Sequence, residues 1–207
     1  MLTGRALAAF RGGRLVFRDI DFDIAAGGAL LLSGPNGSGK STLLRIIAGL
    51  TAAEAGALLW DSKDALLDPS AHARRVAFVG HHDAIKPGLT VWENLLFTAR
   101  ASPEARKTGR PDGAIAVALE AVGLASLAEL PARYLSAGQR RRLALARLAL
   151  RRAAPLWLLD EPTLGLDAAS VGRLGTLLQA HREGGGMVIA ATHLPLPLPE
   201  AAELRLA

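Results

Sequence analysis

Hydrophobic and polar positions divide this chain into strand-like ends and a helical middle. Residues 13–33 alternate and then turn continuously apolar at Ala-Leu-Leu-Leu-Ser, 29–33, the pattern of a strand running into a buried strand. Gly34–Gly39 reads as a glycine-rich turn. From Ser41 the apolar residues Leu43, Leu44, Ile46 and Ile47 recur at helical spacing, with Gly49 as the stop. Val76–Val79 predicts a short strand, and 83–90 a loop containing Pro87 and Gly88. Thr90 with Glu93 three residues later has the form of a capping box for a helix starting at Val91. Residues 101–113 predict a polar surface loop, and helices follow at about 113–122 and 137–152. Leu156–Leu159 reads as a buried strand ended by Asp160, 168–182 as a helix, and Met187–Thr192 as another buried strand. The run Pro-Leu-Pro-Leu-Pro, 195–199, breaks the pattern. These elements predict an α/β fold: a core sheet from about 1–82 and 153–207, with an inserted α-helical subdomain at about 83–152.

Composition bounds the chemistry. Half of the 207 residues are hydrophobic, which excludes a wholly disordered chain and supplies a sizeable core. A net charge of +5 suits phosphate-bearing ligands or an anionic membrane surface, and equally a solvated basic face. Arg140, Arg141 and Arg142, and the pair Arg151, Arg152, sit inside a helical pattern, so no charge block reads as a nucleic-acid arm. The absence of cysteine removes disulfides, thiolate metal sites and cysteine nucleophiles, and is in keeping with a reducing compartment. The first apolar stretch is broken by Arg5 and is too short for a signal-peptide core. No apolar run approaches membrane-spanning length, so work at a membrane calls for an anchoring partner.

GPNGSGKS at 34–41 satisfies the P-loop pattern, after an apolar strand and before a helix. A polyphosphate is wrapped by backbone N–H groups, and glycines let the chain approach without side-chain clashes. The nucleotide-binding residues on this reading are Gly34, Pro35, Asn36, Gly37, Ser38, Gly39, Lys40, Ser41 and Thr42. Lys40 brings positive charge to the β and γ phosphates, Ser41 offers a hydroxyl to Mg2+, and the helix start points its dipole at the anion. The plainer reading is a glycine-rich turn with an incidental lysine. At 156–161 a buried strand delivers Asp160 and Glu161 to its carboxyl end, where ligands bind in open α/β sheets. Asp160 is expected to hold the Mg2+ water shell and Glu161 to polarise the water attacking the γ phosphate. Taken alone, such a pair is as readily a polar turn or a helix cap.

Three further segments resemble one family. LSAGQ at Leu135–Gln139 resembles the signature motif of the ATP-binding cassette (ABC) ATPases, with Ala137 where the usual pattern has glycine. EPTLGLD at 161–167 resembles the acid and D-loop segment, and AATH at 190–193 the switch-histidine strand. With the P-loop they follow the family's order across nearly the whole chain. The resemblance implies a P-loop NTPase of the ABC ATPase kind, with ATP and Mg2+ as cofactors. It also implies a homodimer of ATPase subunits, in which Ser136, Ala137, Gly138 and Gln139 meet the γ phosphate held by the other subunit. Ser136 opens a helix, an anion-binding end. The resemblance makes His193 a γ-phosphate contact and a catalytic partner of Glu161, where a lone histidine would be a surface imidazole. It gives Asp167 a coupling role across the dimer. Phe10 is expected to stack on adenine, or else to be a core or edge aromatic.

One departure narrows the choice. The family usually places a glutamine after the strand at 76–79, and here His81 stands in that position. Imidazole is a poorer Mg2+ ligand than an amide oxygen, so His81 either reaches the γ phosphate, directly or through water, or only shapes its loop. GHHDAIKPGLTVWENL at 80–95 resembles the ATP-binding subunits of the haem exporter used in cytochrome c maturation, and LSAGQRRRLALARL at 135–148 agrees. That resemblance implies a peripheral ATPase on the cytoplasmic face of the cell inner membrane, partnered with an integral permease subunit of the haem-exporter type. A membrane haem-handling protein and a haem chaperone would be indirect partners, with hydrolysis tied to release of the loaded chaperone. No nucleic-acid partner is implied. Neither His81 nor His82 lies in a haem motif. Two other readings remain: the ATPase of an exporter for another cargo (lipid, drug or lipoprotein), and a soluble ABC protein acting on DNA or the ribosome. The latter lacks its usual coiled-coil insertion or second cassette here. A regulatory subunit without hydrolysis is disfavoured by the presence of Lys40, Glu161 and His193.

Overall fold

Gly12 and Gly13 both take positive φ, 57° and 74°, the geometry that lets a two-residue turn match strand twist. They join strand β1 (Leu2–Arg11) to β2 (Arg14–Ile24). With β4 (Ala55–Trp60) and β5 (Lys63–Asp64) these build an antiparallel sheet in the order β2-β1-β4-β5. The structure is a computed structural model and describes residues 1–101 and 111–207. The strand running into a buried strand expected at 13–33 is β2 followed by β3 (Ala29–Ser33), which lie in different sheets. A turn closed by the Gly28 N–H donating to Ala25 O at 2.9 Å separates them.

The second sheet is parallel throughout, in the order β6-β7-β8-β3-β9 among the described residues. It comprises β3, β6 (Val76–Val79), β7 (Leu156–Asp160), β8 (Met187–Ala191) and β9 (Ala202–Arg205). Every residue of β7 and β8 is buried, as expected when both faces are covered. Alternate residues feed two cores. Leu156, Leu158, Met187 and Ile189 pack with the antiparallel sheet and helix α1 (Lys40–Ile47). Trp157, Leu159, Val188 and Ala190 face the helices α3 (Val91–Ala101), α4 (Pro111–Ala121), α5 (Ala137–Ala149) and α6 (Ala168–Glu183). α2 (Pro69–Arg75), together with β1, β4, β5 and β9, had no counterpart in the hydrophobic pattern.

Helix ends follow local chemistry. α1 stops in a Schellman motif: Gly49, at φ 72°, donates to Ile46 O and Leu50 donates to Arg45 O, each at 2.9 Å. The capping box at α3 is formed, with Thr90 N donating to Glu93 Oε2 at 2.8 Å and Glu93 N to Thr90 Oγ1 at 3.1 Å. Residues 111–113, expected in a surface loop, are instead the first turn of α4, where proline is accommodated at the first helical position. Ala101, also expected in that loop, closes α3, and 102–110 lies outside the described residues. Buried His72 is structural: Trp60 Nε1–H donates to its Nδ1 at 3.1 Å, so its Nε2–H donates to Ile47 O at 2.8 Å.

Candidate active site

Because β6, β7, β8 and β3 run the same way, their carboxyl ends open on one edge of the sheet. That edge carries His81 after β6, Asp160 and Glu161 at the end of β7, His193 after β8 and the glycine-rich loop after β3. A cleft of about 570 Å3 lies there. Asn36, Gly37, Gly39, Lys40, Ser41 and Thr42 form its loop side. His81, Asp160, Glu161 and His193 face them across it.

The loop needs its glycines. Gly34 sits at φ 134°, and a Cβ there would meet Leu206 O at 2.2 Å; Gly39, at φ 98°, would drive one into Val16 and Phe17 at 2.5 and 2.8 Å. Lys40 is buried, and its Nζ donates to Gly34 O at 2.7 Å and Pro35 O at 2.9 Å. Its charge is thus held within the loop's own carbonyl ring. Ser38 Oγ is buried without a hydrogen-bond partner among the described residues.

Ser41 Oγ donates to Asp160 Oδ1 at 3.1 Å, bridging the P-loop helix and the end of β7. Asp160 is buried. Glu161 takes a left-handed conformation, φ 49°, uncommon for a residue with a side chain. Its N–H donates to Ala191 O at 2.8 Å, and its carboxylate accepts from His193 Nδ1 at 2.9 Å and, more loosely, from His193 N at 3.4 Å. With Nδ1 donating to a carboxylate, the imidazole keeps Nε2 for a second partner. The hydroxyl–carboxylate pair of Ser41 and Asp160 is a hard oxygen donor set, which fits Mg2+.

Other expected site residues lie elsewhere. Ser136, Ala137, Gly138 and Gln139 are not among the described residues bordering the cleft. Ser136 caps α5 in a capping box, with Ser136 N donating to Gln139 Oε1 at 2.7 Å and Gln139 N to Ser136 Oγ at 3.2 Å. Gly138 packs against the D-loop so closely that a Cβ would come within 2.9 Å of Gly165 O. Asp167 also stands apart from the cleft and caps α6, Oδ1 accepting from Ser170 N at 2.7 Å. Hydrogen bonds from the Ser170 hydroxyl and backbone hold its carboxyl below the usual carboxylate range. Phe10 is 45% exposed and does not border the cleft. Arg11 and Val16 do, which the sequence does not single out, as does Leu164, which lies within the EPTLGLD segment. Strand alternation is the signal that separates Arg11 from Phe10, and a β-bulge between Ala9 and Phe10 obscures it.

Comparison with known proteins follows the same lines. Residues 17–164 match the ABC transporter family. A Paramagnetospirillum magneticum protein named cytochrome c biogenesis ATP-binding export protein CcmA is 51% identical over 205 residues, covering 99% of this chain and 93% of that protein. A Rhodospirillum rubrum protein of the same name is 48% identical over 206 residues, covering 100% of this chain and 85% of that one. Among solved structures, one described as the ATP-binding subunit of an ABC transporter superposes with a TM-score of 0.81 at 25% identity, covering 93% of this chain and 79% of that chain.

Proposed function

The chain belongs to the ABC transporter family of ATP-binding proteins, and on that premise we propose that it is the ATP-hydrolysing subunit of a haem-exporter-type complex in cytochrome c biogenesis. The carrying observation is the relation to the export proteins named CcmA, near 50% identity over the full length of this chain. It is joined to a cleft in which a P-loop, an acid pair and a histidine face one another. An ATP-binding ABC subunit works with membrane partners. Among the described residues no helix is long and apolar enough to cross a membrane. An integral permease subunit would therefore hold the chain at the cytoplasmic face of the inner membrane, with the haem-handling protein and chaperone beyond it.

The residues divide the chemistry. The P-loop backbone and Lys40 bind the triphosphate. Ser41 and Asp160 would hold Mg2+, which when bound supplies positive charge against the phosphate oxygens. Glu161 accepts a hydrogen bond from the attacking water. The water oxygen bonds to the γ phosphorus and gives a proton to the Glu161 carboxylate, as the bond to the bridging oxygen breaks and ADP departs with the electron pair. His193 donates through Nδ1 to Glu161, fixing the carboxylate, and with the ring doubly protonated its Nε2–H would also donate to a phosphoryl oxygen. His81 borders the cleft and would contact a phosphate or a water there. Arg11 and Val16, in place of Phe10, take the base: a guanidinium stacks on an aromatic face and an apolar side chain floors it. Ser136 to Gln139, outside the cleft of their own chain, complete the site of a second copy in a head-to-tail homodimer, coupled through Asp167. The core lobe (about 1–82 and 153–207) and the helical lobe (about 83–152) are the two bodies whose relation the cycle changes.

Glu161→Gln tests the assignment. It is expected to keep ATP binding, lose turnover by at least ~100-fold and accumulate an ATP-bound dimer on gel filtration; wild-type turnover would remove Glu161 as the base. Purification from membranes, with identification of the integral partner and a test for haem and its chaperone, addresses the cargo. A permease for lipid or drug in that preparation would favour the other exporter reading.

A further inference from the structure

Arg141 is the second-turn residue of α5, one turn beyond the Ser136 cap, and its side chain is only 6% exposed. Its guanidinium reaches across to the carboxyl ends of two core strands. Nη2 donates to Asp160 O at 2.7 Å and Glu161 O at 2.8 Å, and Nε makes a long contact with Pro162 O at 3.4 Å. Nη1 donates to Gly80 O at 2.9 Å, immediately before His81, and to Asp83 Oδ1 at 3.0 Å. A planar fork with donors on several edges can serve all these acceptors at once, which an ammonium cannot. Burying the charge is compensated by Asp83 and by carbonyl oxygens that already point out of the ends of parallel strands.

One of those carbonyls belongs to Glu161, whose left-handed backbone is a conformation that persists only when neighbours over-determine it. Ala191 O fixes the N–H side of Glu161 and Arg141 fixes its C=O side. Between these two anchors the carboxylate is aimed at His193. We infer that Arg141 is a positioning residue for ATP hydrolysis: it clamps the strained backbone of Glu161 to the helix that begins at Ser136, so that the base is aligned only while α5 and the core sheet keep this relation. Arg141 touches no reacting atom. It carries the position of the signature helix to the acid pair and, through Gly80 and Asp83, to the His81 loop. This rests on Glu161 being the base.

The test compares Arg141→Lys and Arg141→Gln with Arg151→Lys, using the full chain. Arg151 is a structural counterpart, donating to Ala73 O, Arg74 O and Val76 O at the opposite end of β6. Steady-state ATPase rates, nucleotide affinity by fluorescent-ATP titration and Tm are measured on each. Arg141→Lys is expected to bind nucleotide within about twofold of wild type while kcat falls at least tenfold and KM stays nearly constant. Arg151→Lys is expected to shift Tm and leave kcat intact. Arg141→Lys added to Glu161→Gln is expected to leave the residual rate unchanged within about threefold, because both act through one carboxylate. The inference is overturned if Arg141→Lys and Arg141→Gln keep kcat within threefold. It is equally overturned if affinity, Tm and kcat fall together, if neither variant folds where Arg151→Lys does, or if the double variant loses activity multiplicatively. A Glu161→Gln variant with normal turnover would instead overturn the base assignment, whatever Arg141→Lys does.

Discussion

His181 gives the fold an acid-sensitive point against β7. Its ring stacks on Trp157, the second residue of β7, with centroids 3.9 Å apart and planes 5° from parallel. Gly186 passes so close to the ring edge that a Cβ there would approach it within 2.2 Å. His181 is 8% exposed and its Nε2 has no hydrogen-bond partner among the described residues. Burial pushes its pKa down from 6.5 to about 4, against a smaller opposing effect of a backbone hydrogen bond at Met187. The folded state therefore refuses a proton that the unfolded chain accepts near pH 6.5. The stability carried by this neutral ring is fully present above 6.5, erodes as pH falls and is gone below about 4. At ~1.4 kcal/mol per unit the whole window is worth about 3 kcal/mol, and the part lost by pH 5 about 2 kcal/mol. A domain has only about 5–15 kcal/mol to spend.

The variant is His181→Phe, which keeps an aromatic ring on Trp157 and has no proton to gain. Urea unfolding of both proteins is followed at pH 7.5 and pH 5. Other titrating groups are common to the two, so they cancel in the difference of differences. With a slope of about 2 kcal/mol per molar urea, the wild-type midpoint should fall about 1 M further than that of the variant between the two pH values. Parallel midpoints, whatever their absolute positions, would refute the claim that His181 is held neutral by burial.

Two shorter predictions concern the cleft. Lys40→Ala should weaken ATP binding by about 10- to 100-fold, the worth of one or two charge-assisted hydrogen bonds, and unchanged affinity in a nucleotide titration would count against the P-loop assignment. Arg11→Ala should cost roughly 3- to 30-fold in affinity for adenine nucleotides and little for inorganic triphosphate, whereas Phe10→Ala should stay within about twofold; the reverse order would return the base to Phe10.

The elements legible in the sequence are those whose neighbours in space are also neighbours in the chain, or whose surroundings are uniform. β3, β7 and β8 announce themselves because a strand covered on both faces is apolar throughout. The box at Thr90 closes over three residues, so spacing alone specifies it. The first strand was missed for a physical reason. β1 bulges at several points, and Ala6 takes φ 47°, so its inward residues Leu2, Leu7 and Ala9 do not keep a period of two. Its stability comes from pairing with β2 on one side and β4 on the other, a partnership that composition does not encode. The two successive strands at 13–33 are legible, but not that the four-residue turn between them carries the chain from one sheet to the other.

At the site, the division is between groups that a motif lists in order and groups that serve them from a distance. Lys40, Ser41, Asp160, Glu161 and His193 could be named from the sequence and are brought to one edge by parallel strand order. Arg141 could not be singled out, since in the sequence it is the middle of three arginines, each with a helical neighbour on either side. Only the fold distinguishes them. Arg140 folds back on Leu135 O, Arg142 donates to Val122 O and Gly123 O within the helical layer, and Arg141 alone of the three crosses to the acid pair. A strained, non-glycine residue such as Glu161 requires such outside support, because its own side chain gains nothing from the left-handed conformation. The support comes from the helix that the signature begins. A buried guanidinium bonded to two strand ends ties that helix to the acid pair over a short distance, so a change in how α5 sits on the core sheet is felt at Glu161.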